Sequence, residues 1–280
     1  MTVLVIGGSG YLGAELVRRA AAAGHGTVAT FATRPGTAPA AAWHHLDVRD
    51  PARITGLLCE VAPSVVLNAA AAGADRAVIA EGAVRVAQAA ARQGCRLVHV
   101  SSDAVFAGGR PHYDESCLPD PVTPYGAAKA AAEAGVRLVA PDAVVARTSL
   151  IIGDGRSVHE RLVHELAAGR REGALFTDEV RCPVHVADLA GALLELALSQ
   201  ERGTWHLAGA DALSRYDLGV LVARRDGFDP ALLPSGRRAD SRLPGALDVR
   251  LDSGAARARL RAPLRGAREF LAAGPPRPLT

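Results

Sequence analysis

The chain has 280 residues and a mass of 28.9 kDa, and it is 49% apolar and 22% charged. That profile belongs to an ordinary globule able to bury a sizeable core, as one domain or as a core with an attached lobe. A net charge of +3, without a Lys/Arg-rich block or a set of base-stacking aromatics, gives no reason to expect a nucleic-acid partner.

No apolar run approaches the roughly 18 residues of a membrane span, and the chain enters a strand-like run at Val3–Ile6 without a charged leader. A cytoplasmic protein without membrane contact is expected. Cys59, Cys95, Cys117 and Cys182 lie far apart and form no CxxC pair, which suits reduced thiols rather than a zinc site or disulfides.

In chain order, short apolar runs alternate with longer periodic ones. Segments 2–8, 26–31, 63–70, 96–102 and 142–149 read as buried strands, and a third strand ends near His44 and His45. Segments 11–23, 51–61, 76–93 and 125–139 read as helices, with Gly24 and Gly94 placed as C-terminal stops. Such alternation predicts an α/β fold of Rossmann type, a doubly wound parallel sheet.

Beyond residue 150 the rhythm loosens. "SVHE" (157–160) and "SRYD" (214–217) resemble capping boxes, 187–199 is a further apolar helix, and "TWHLAG" (204–209) a late strand. The expected division is a dinucleotide-binding core over 1–152, to which 184–208 returns, and a smaller substrate lobe formed mainly by 153–280. The loop 32–43 and the tail 274–280 are expected to be mobile.

"VLVIGGSGYLGAELV" sets Gly7, Gly10 and Gly13 between a strand and a helix, with Tyr11 and Leu12 among them. Glycines there permit a tight turn and a close approach of backbone N–H groups to a pyrophosphate. A dinucleotide is expected. The end of the second strand lacks the acid that would hold the ribose of NAD and offers Thr33 and Arg34 instead, which favours NADP; as an alternative, Arg34 is a solvated loop charge. Asp47 and Val48 are candidates for the adenine, and Asp50 before Pro51 reads as a helix cap.

Lys129 is the only lysine among 32 basic residues, and it stands four residues after Tyr125, on the same helix face. A phenol with a pKa near 10 serves as an acid or base near neutrality only with help from a cation. A compact ammonium can give that help and also reach a ribose hydroxyl, which a planar guanidinium does less well. Ser101 and Ser102 end a strand, where α/β sheets place ligands. Ser102 is the candidate hydroxyl for a substrate oxygen, and Asp103 beside it is a second proton donor, an orienting group or a turn residue. Arg181 is a candidate for a substrate anion or a structural ion pair, and His185 for substrate or for a satisfied interior position. His44 and His45 have no metal-ligand spacing.

GxxGxxG at 7–13, "NAAA" at 68–71, "SSDAVF" at 101–106, "PYGAAK" at 124–129 and "VHVADLA" at 184–190 together resemble an extended short-chain dehydrogenase/reductase. Within it the set is most similar to the dTDP-4-dehydrorhamnose reductase branch. The resemblance implies Ser102, Tyr125 and Lys129 as the catalytic set, with Asp103 near substrate. It implies cofactor contacts near Asn68, Ala69 and Ala70 and over Thr148–Leu150. Three positions depart from the pattern: Ala104 where the family has tyrosine after the aspartate, Leu150 where it has tryptophan, and Ile79 where it has asparagine.

The expected activity is hydride transfer from NADPH to a ketone, a small-molecule carbonyl that includes 4-keto nucleotide sugars as a class. Two other readings share these motifs: an epimerase or dehydratase that retains NAD, and a non-catalytic NADP-binding regulatory subunit. A homodimer is compatible with all three.

Overall fold

Seven strands lie side by side in one parallel sheet, and the reason is visible in their composition: runs such as Val3–Ile6 are apolar on both faces. The computed structural model describes residues 1–39, 41–241 and 244–272. Its strands are β1 (Thr2–Ile6), β2 (Gly26–Phe31), β3 (Ala41–His45), β4 (Val65–Asn68), β5 (Arg96–Ser102), β6 (Val144–Thr148) and β7 (Gly203–Leu207). They are ordered 7-6-5-4-1-2-3. The order reverses between β1 and β4, which is where an open α/β sheet leaves a crevice at the strands' C-terminal ends.

Alternation along the strands supplies two cores. Val3, Val5 and Val98 face Leu12, Leu16 and Val17 of α1 (Tyr11–Ala22) and Leu189 and Leu193 of α6 (Val186–Leu198). Leu4, Ile6 and Val145 face the other side, against Ile54 and Leu58 of α2 (Pro51–Val61), Val86 of α3 (Ala83–Arg92) and Val136 of α4 (Pro124–Val139).

A third apolar cluster lies off the sheet. Val163 and Leu166 of α5 (Val158–Ala167), Leu218 and Val222 of α7 (Arg215–Arg225), and Phe270 pack together with Ile152. The buried Glu160 accepts from the backbone N–H groups of Gly155 and Ser157 at 3.0 Å each and pairs with Arg225 at 2.8 Å. Ser157 and Glu160 form the expected capping box, and Ser214 caps α7 by accepting from Asp217 N–H at 2.9 Å.

Two expectations need correction. The stretch 76–93 is not one regular helix: Ala77–Gly82 is a π-helical turn that leads into α3. A side chain at Gly82 would collide with Val48, so glycine lets this turn pass close to that loop. The loop 32–43 is not mobile throughout, since Ala41–Trp43 belong to β3 and the Trp43 indole donates to Ala38 O at 3.1 Å. The tail 274–280 lies outside the described residues.

Candidate active site

The turn after β1 is built from its glycines. Gly7 has φ +79°, its N–H donates to Thr30 Oγ1 at 3.0 Å, and its bare Cα lies against the Ala69–Ala70 backbone. A Cβ at Gly13 would overlap the Gly7 carbonyl, so α1 can start this close to β1 only with glycine there. At Gly10 a Cβ would meet only the Gly7 carbonyl oxygen, at 3.3 Å, and its other side is open to the cleft.

A cavity of about 370 Å³ opens beside this turn, lined by Gly7, Gly10, Thr33, Asp47, Val48, Ala69 and Ala70. A second, of about 570 Å³, meets it at Gly10, Ala69 and Ala71. Tyr11, Leu12, Gly13, Ser102, Asp103, Ala104, Tyr125, Lys129, Thr148, Leu150 and Arg181 all line this second space. Residues as far apart in sequence as Gly10 and Arg181 thus share one cleft at the sheet's switch point.

At its centre, Pro124 and the Thr123 cap start α4, and Tyr125 and Lys129 face β5 from its first two turns. The Ser102 hydroxyl and the Tyr125 phenol line the same space. The Ser102 hydroxyl accepts from Ala104 N–H at 3.2 Å and donates to Asp103 Oδ1 at 3.2 Å. Asp103 Oδ2 accepts from Ser149 Oγ at 2.7 Å, and the Arg181 guanidinium is 3.7 Å away. Burial pushes the Asp103 carboxyl upward, against the pull of Arg181 and the two serines.

Lys129 is 3% exposed and donates to Val100 O at 3.0 Å. Burial pulls its ammonium down to about 8, while Glu133 pushes the other way. Burial raises the Tyr125 phenol, Ser102 pulls it back, and the Asp103 charge raises it further. This corrects one expectation: burial holds the phenol above its ordinary value, not below it. A raised phenol stays protonated near neutrality, which suits an acid.

Other sequence candidates fall elsewhere. Asn68 lines neither cavity; its side chain accepts from Ala70 N–H at 3.2 Å and meets His99 Nδ1 at 3.4 Å, shaping the turn after β4. His185 is likewise outside the cleft. It caps α6 by accepting from Ala187 N–H at 3.2 Å, with its ring edge against Phe270. Arg34 is exposed on the loop after β2, and Thr33 rather than Arg34 lines the cavity.

Some candidates reach the cleft with their polar groups already engaged. Asp47 is gripped by Arg49 at 2.6 Å, whose hydrogen bonds hold its carboxyl down to about 2. Thr148 donates to Leu207 O at 2.9 Å. Arg181 donates to the carbonyls of Val180 and Ala246 at 2.7 and 2.8 Å, so it ties the cleft wall to the 246–247 segment.

Sequence reasoning passed over Glu133 and the lobe residues Arg156, His159 and Arg161 that line the far wall. Ser149 falls within the expected stretch Thr148–Leu150 and lines the cleft.

Residues 1–244 match the model of the RmlD substrate binding domain. The chain belongs to this family. It is an NAD(P)-dependent oxidoreductase of the extended short-chain kind. The chain is 33% identical over 247 residues to the dTDP-4-dehydrorhamnose reductase of Mycobacterium tuberculosis, covering 81% of this chain and 76% of that one. It is 29% identical to the dTDP-4-keto-6-deoxy-D-glucose reductase of Streptomyces niveus, with 86% and 85% covered. Its fold matches the Bacillus anthracis dTDP-4-dehydrorhamnose reductase solved with NADP, with a TM-score of 0.82, 22% identity and 97% of each chain covered.

Proposed function

We propose that the protein is an NADPH-dependent reductase of a 4-keto nucleotide sugar. The observation that carries this reading is the Ser102–Tyr125–Lys129 set opening on the same cleft as the glycine turn. The residues present fit a dinucleotide: Gly10 leaves its cleft side bare, Gly7 and Ala70 meet backbone to backbone, and Val48 with Val78 offers an apolar wall. When bound, NADPH supplies the hydride.

The rest is done by this chain. Ser102 donates to the ketone oxygen and fixes its distance from Tyr125. Tyr125, protonated because burial raises its pKa, gives its proton to that oxygen as the carbonyl becomes an alcohol. Lys129 lies one turn further along α4, where its ammonium offsets the charge left on the phenolate and can hold a ribose hydroxyl. With substrate bound the Ser102 proton turns from Asp103 Oδ1 to the ketone, and Asp103, pushed by burial toward its neutral form, can donate to Ser102 Oγ in its place. Leu150 and Ala104 leave the sugar side of the cleft roomier and less polar than the branch's usual tryptophan and tyrosine would. The sugar accepted is expected to differ accordingly.

The test is a panel of dTDP- and UDP-linked 4-keto sugars with NADPH, followed by loss of the reduced nicotinamide absorbance. One alcohol formed per NADPH consumed is expected. No consumption with any member, together with NAD⁺ released in stoichiometric amount on unfolding, would replace the reading with a retained-NAD epimerase.

A further inference from the structure

Glu133 stands four residues beyond Lys129, so Tyr125, Lys129 and Glu133 occupy one face of α4. None of its surface is exposed. A carboxylate so placed is costly unless its oxygens are satisfied. Here they are: Oε1 accepts from Ser101 Oγ at 2.6 Å and from Arg147 Nε at 3.0 Å, and Oε2 accepts from Arg147 Nη2 at 2.8 Å. Arg137, one turn on, reaches Oε2 at 3.4 Å.

Two residues of α4 therefore grip adjacent residues of β5. Lys129 holds the Val100 carbonyl and Glu133 holds the Ser101 hydroxyl, immediately before Ser102. Arg147 carries the grip on to β6, the Cys117 carbonyl at 3.2 Å and the His206 ring at 3.4 Å. We propose that Glu133 is a positioning residue of the reductase site, locking the end of β5 to α4 and supplying the counter-charge that keeps Lys129 an ammonium.

The charged and titratable groups around the pair are few. Tyr125 lies on the same face of α4; His99 of β5 is near Lys129 and held neutral by burial; Arg147 of β6 and Arg137 of α4 flank Glu133; His206 of β7 lies behind Arg147. Glu133 is the negative group that acts on Lys129. Without it the ammonium loses its proton at lower pH, and with it the ability to hold a ribose hydroxyl.

The proposal rests on Lys129 acting as the partner of Tyr125 and of the cofactor. Its test reads NADPH affinity by fluorescence against pH, without substrate, so it stands apart from the identity of the sugar. Glu133→Gln is compared with the double variant Glu133→Gln, Arg147→Met, which removes both buried charges and so spares the fold an unpaired guanidinium. In both, the pH at which NADPH affinity falls should move down by at least about one pH unit, the usual reach of a close opposite charge. The alkaline limb of kcat should follow it, with KM for the sugar little changed.

A merely structural Glu133 predicts that the double variant regains the parent's midpoint along with its stability. That result, or an unshifted midpoint in either folded variant, overturns the proposal. So does loss of the fold in both, which would make Glu133 a structural residue alone.

Discussion

Lys129 sits in a slot between α4 and β5, with its nitrogen on the Val100 carbonyl and Glu133 one turn away. A guanidinium is wider and planar and cannot occupy that slot as a point charge. Lys129→Arg should therefore lower turnover by at least about 10²-fold, the lower range for removing acid–base help. Tyr125→Phe should be as severe, and the double variant little worse, because the two act as a unit. An arginine variant as active as the parent would remove Lys129 from the chemistry. Since burial brings Lys129 down to about 8, parental turnover should fall as pH rises through that value, where the ammonium is lost. Arg34 makes a weaker case, being exposed and outside the cavity lining. If it swings onto the 2′-phosphate, Arg34→Ala should cut the preference for NADPH over NADH by roughly tenfold. Equal affinities for the two cofactors in the parent would end that idea.

The glycine turn assigns its residues different tasks, which parallel substitutions can separate. Gly10 faces the cleft with room for a side chain, so Gly10→Val should fold normally and lose NADPH binding. Gly13→Val would drive a side chain into the Gly7 carbonyl and Gly8 Cα, and should lower the thermal midpoint as well. Cofactor titration beside thermal unfolding distinguishes them; unchanged affinity in a folded Gly10→Val would take the turn out of the site. At this scale the sequence was most informative. Strands such as Arg96–Ser102 and Gly26–Phe31 fall on the expected bounds because each is a short run built around Val, Leu, Phe and Thr and bounded by turn residues, a signal that needs no partner to be read. The π-turn at Ala77–Gly82 was not legible, because its residues carry no local cue that sets it apart from a regular helical turn, and its close approach to Val48 involves a loop some thirty residues earlier. The same holds for the site. Tyr125, Lys129 and Ser102 declare themselves by spacing and chemistry, whereas His185 and Asn68 carry suggestive side chains that the fold spends on a cap and a turn.

Across the whole molecule, three histidines are enclosed by the packing of sheet, helices and lobe. Burial pulls His99 and His159 down to about 3 and His206 to about 4, so each is neutral in the folded protein near pH 6. In the unfolded chain each would titrate near its ordinary value of about 6.5. Below that value the unfolded state binds protons the folded state refuses, and the balance moves toward unfolding with every step down in pH. Stability should thus be at its full value above about pH 6.5 and decline steadily toward about pH 4. Carboxylates give a separate, later loss. At Asp188 burial would raise the carboxyl, but the hydrogen bonds from Arg265 outweigh it, so its contribution is present above about pH 4 and lost only below. Urea unfolding at about pH 7.5 and about pH 5 spans the upper part of the histidine window, and the midpoint should be lower at the acid end. His99→Gln, which removes one of the three, should flatten that difference; equal parental midpoints at the two pH values would mean that the histidines take up protons in the folded protein too.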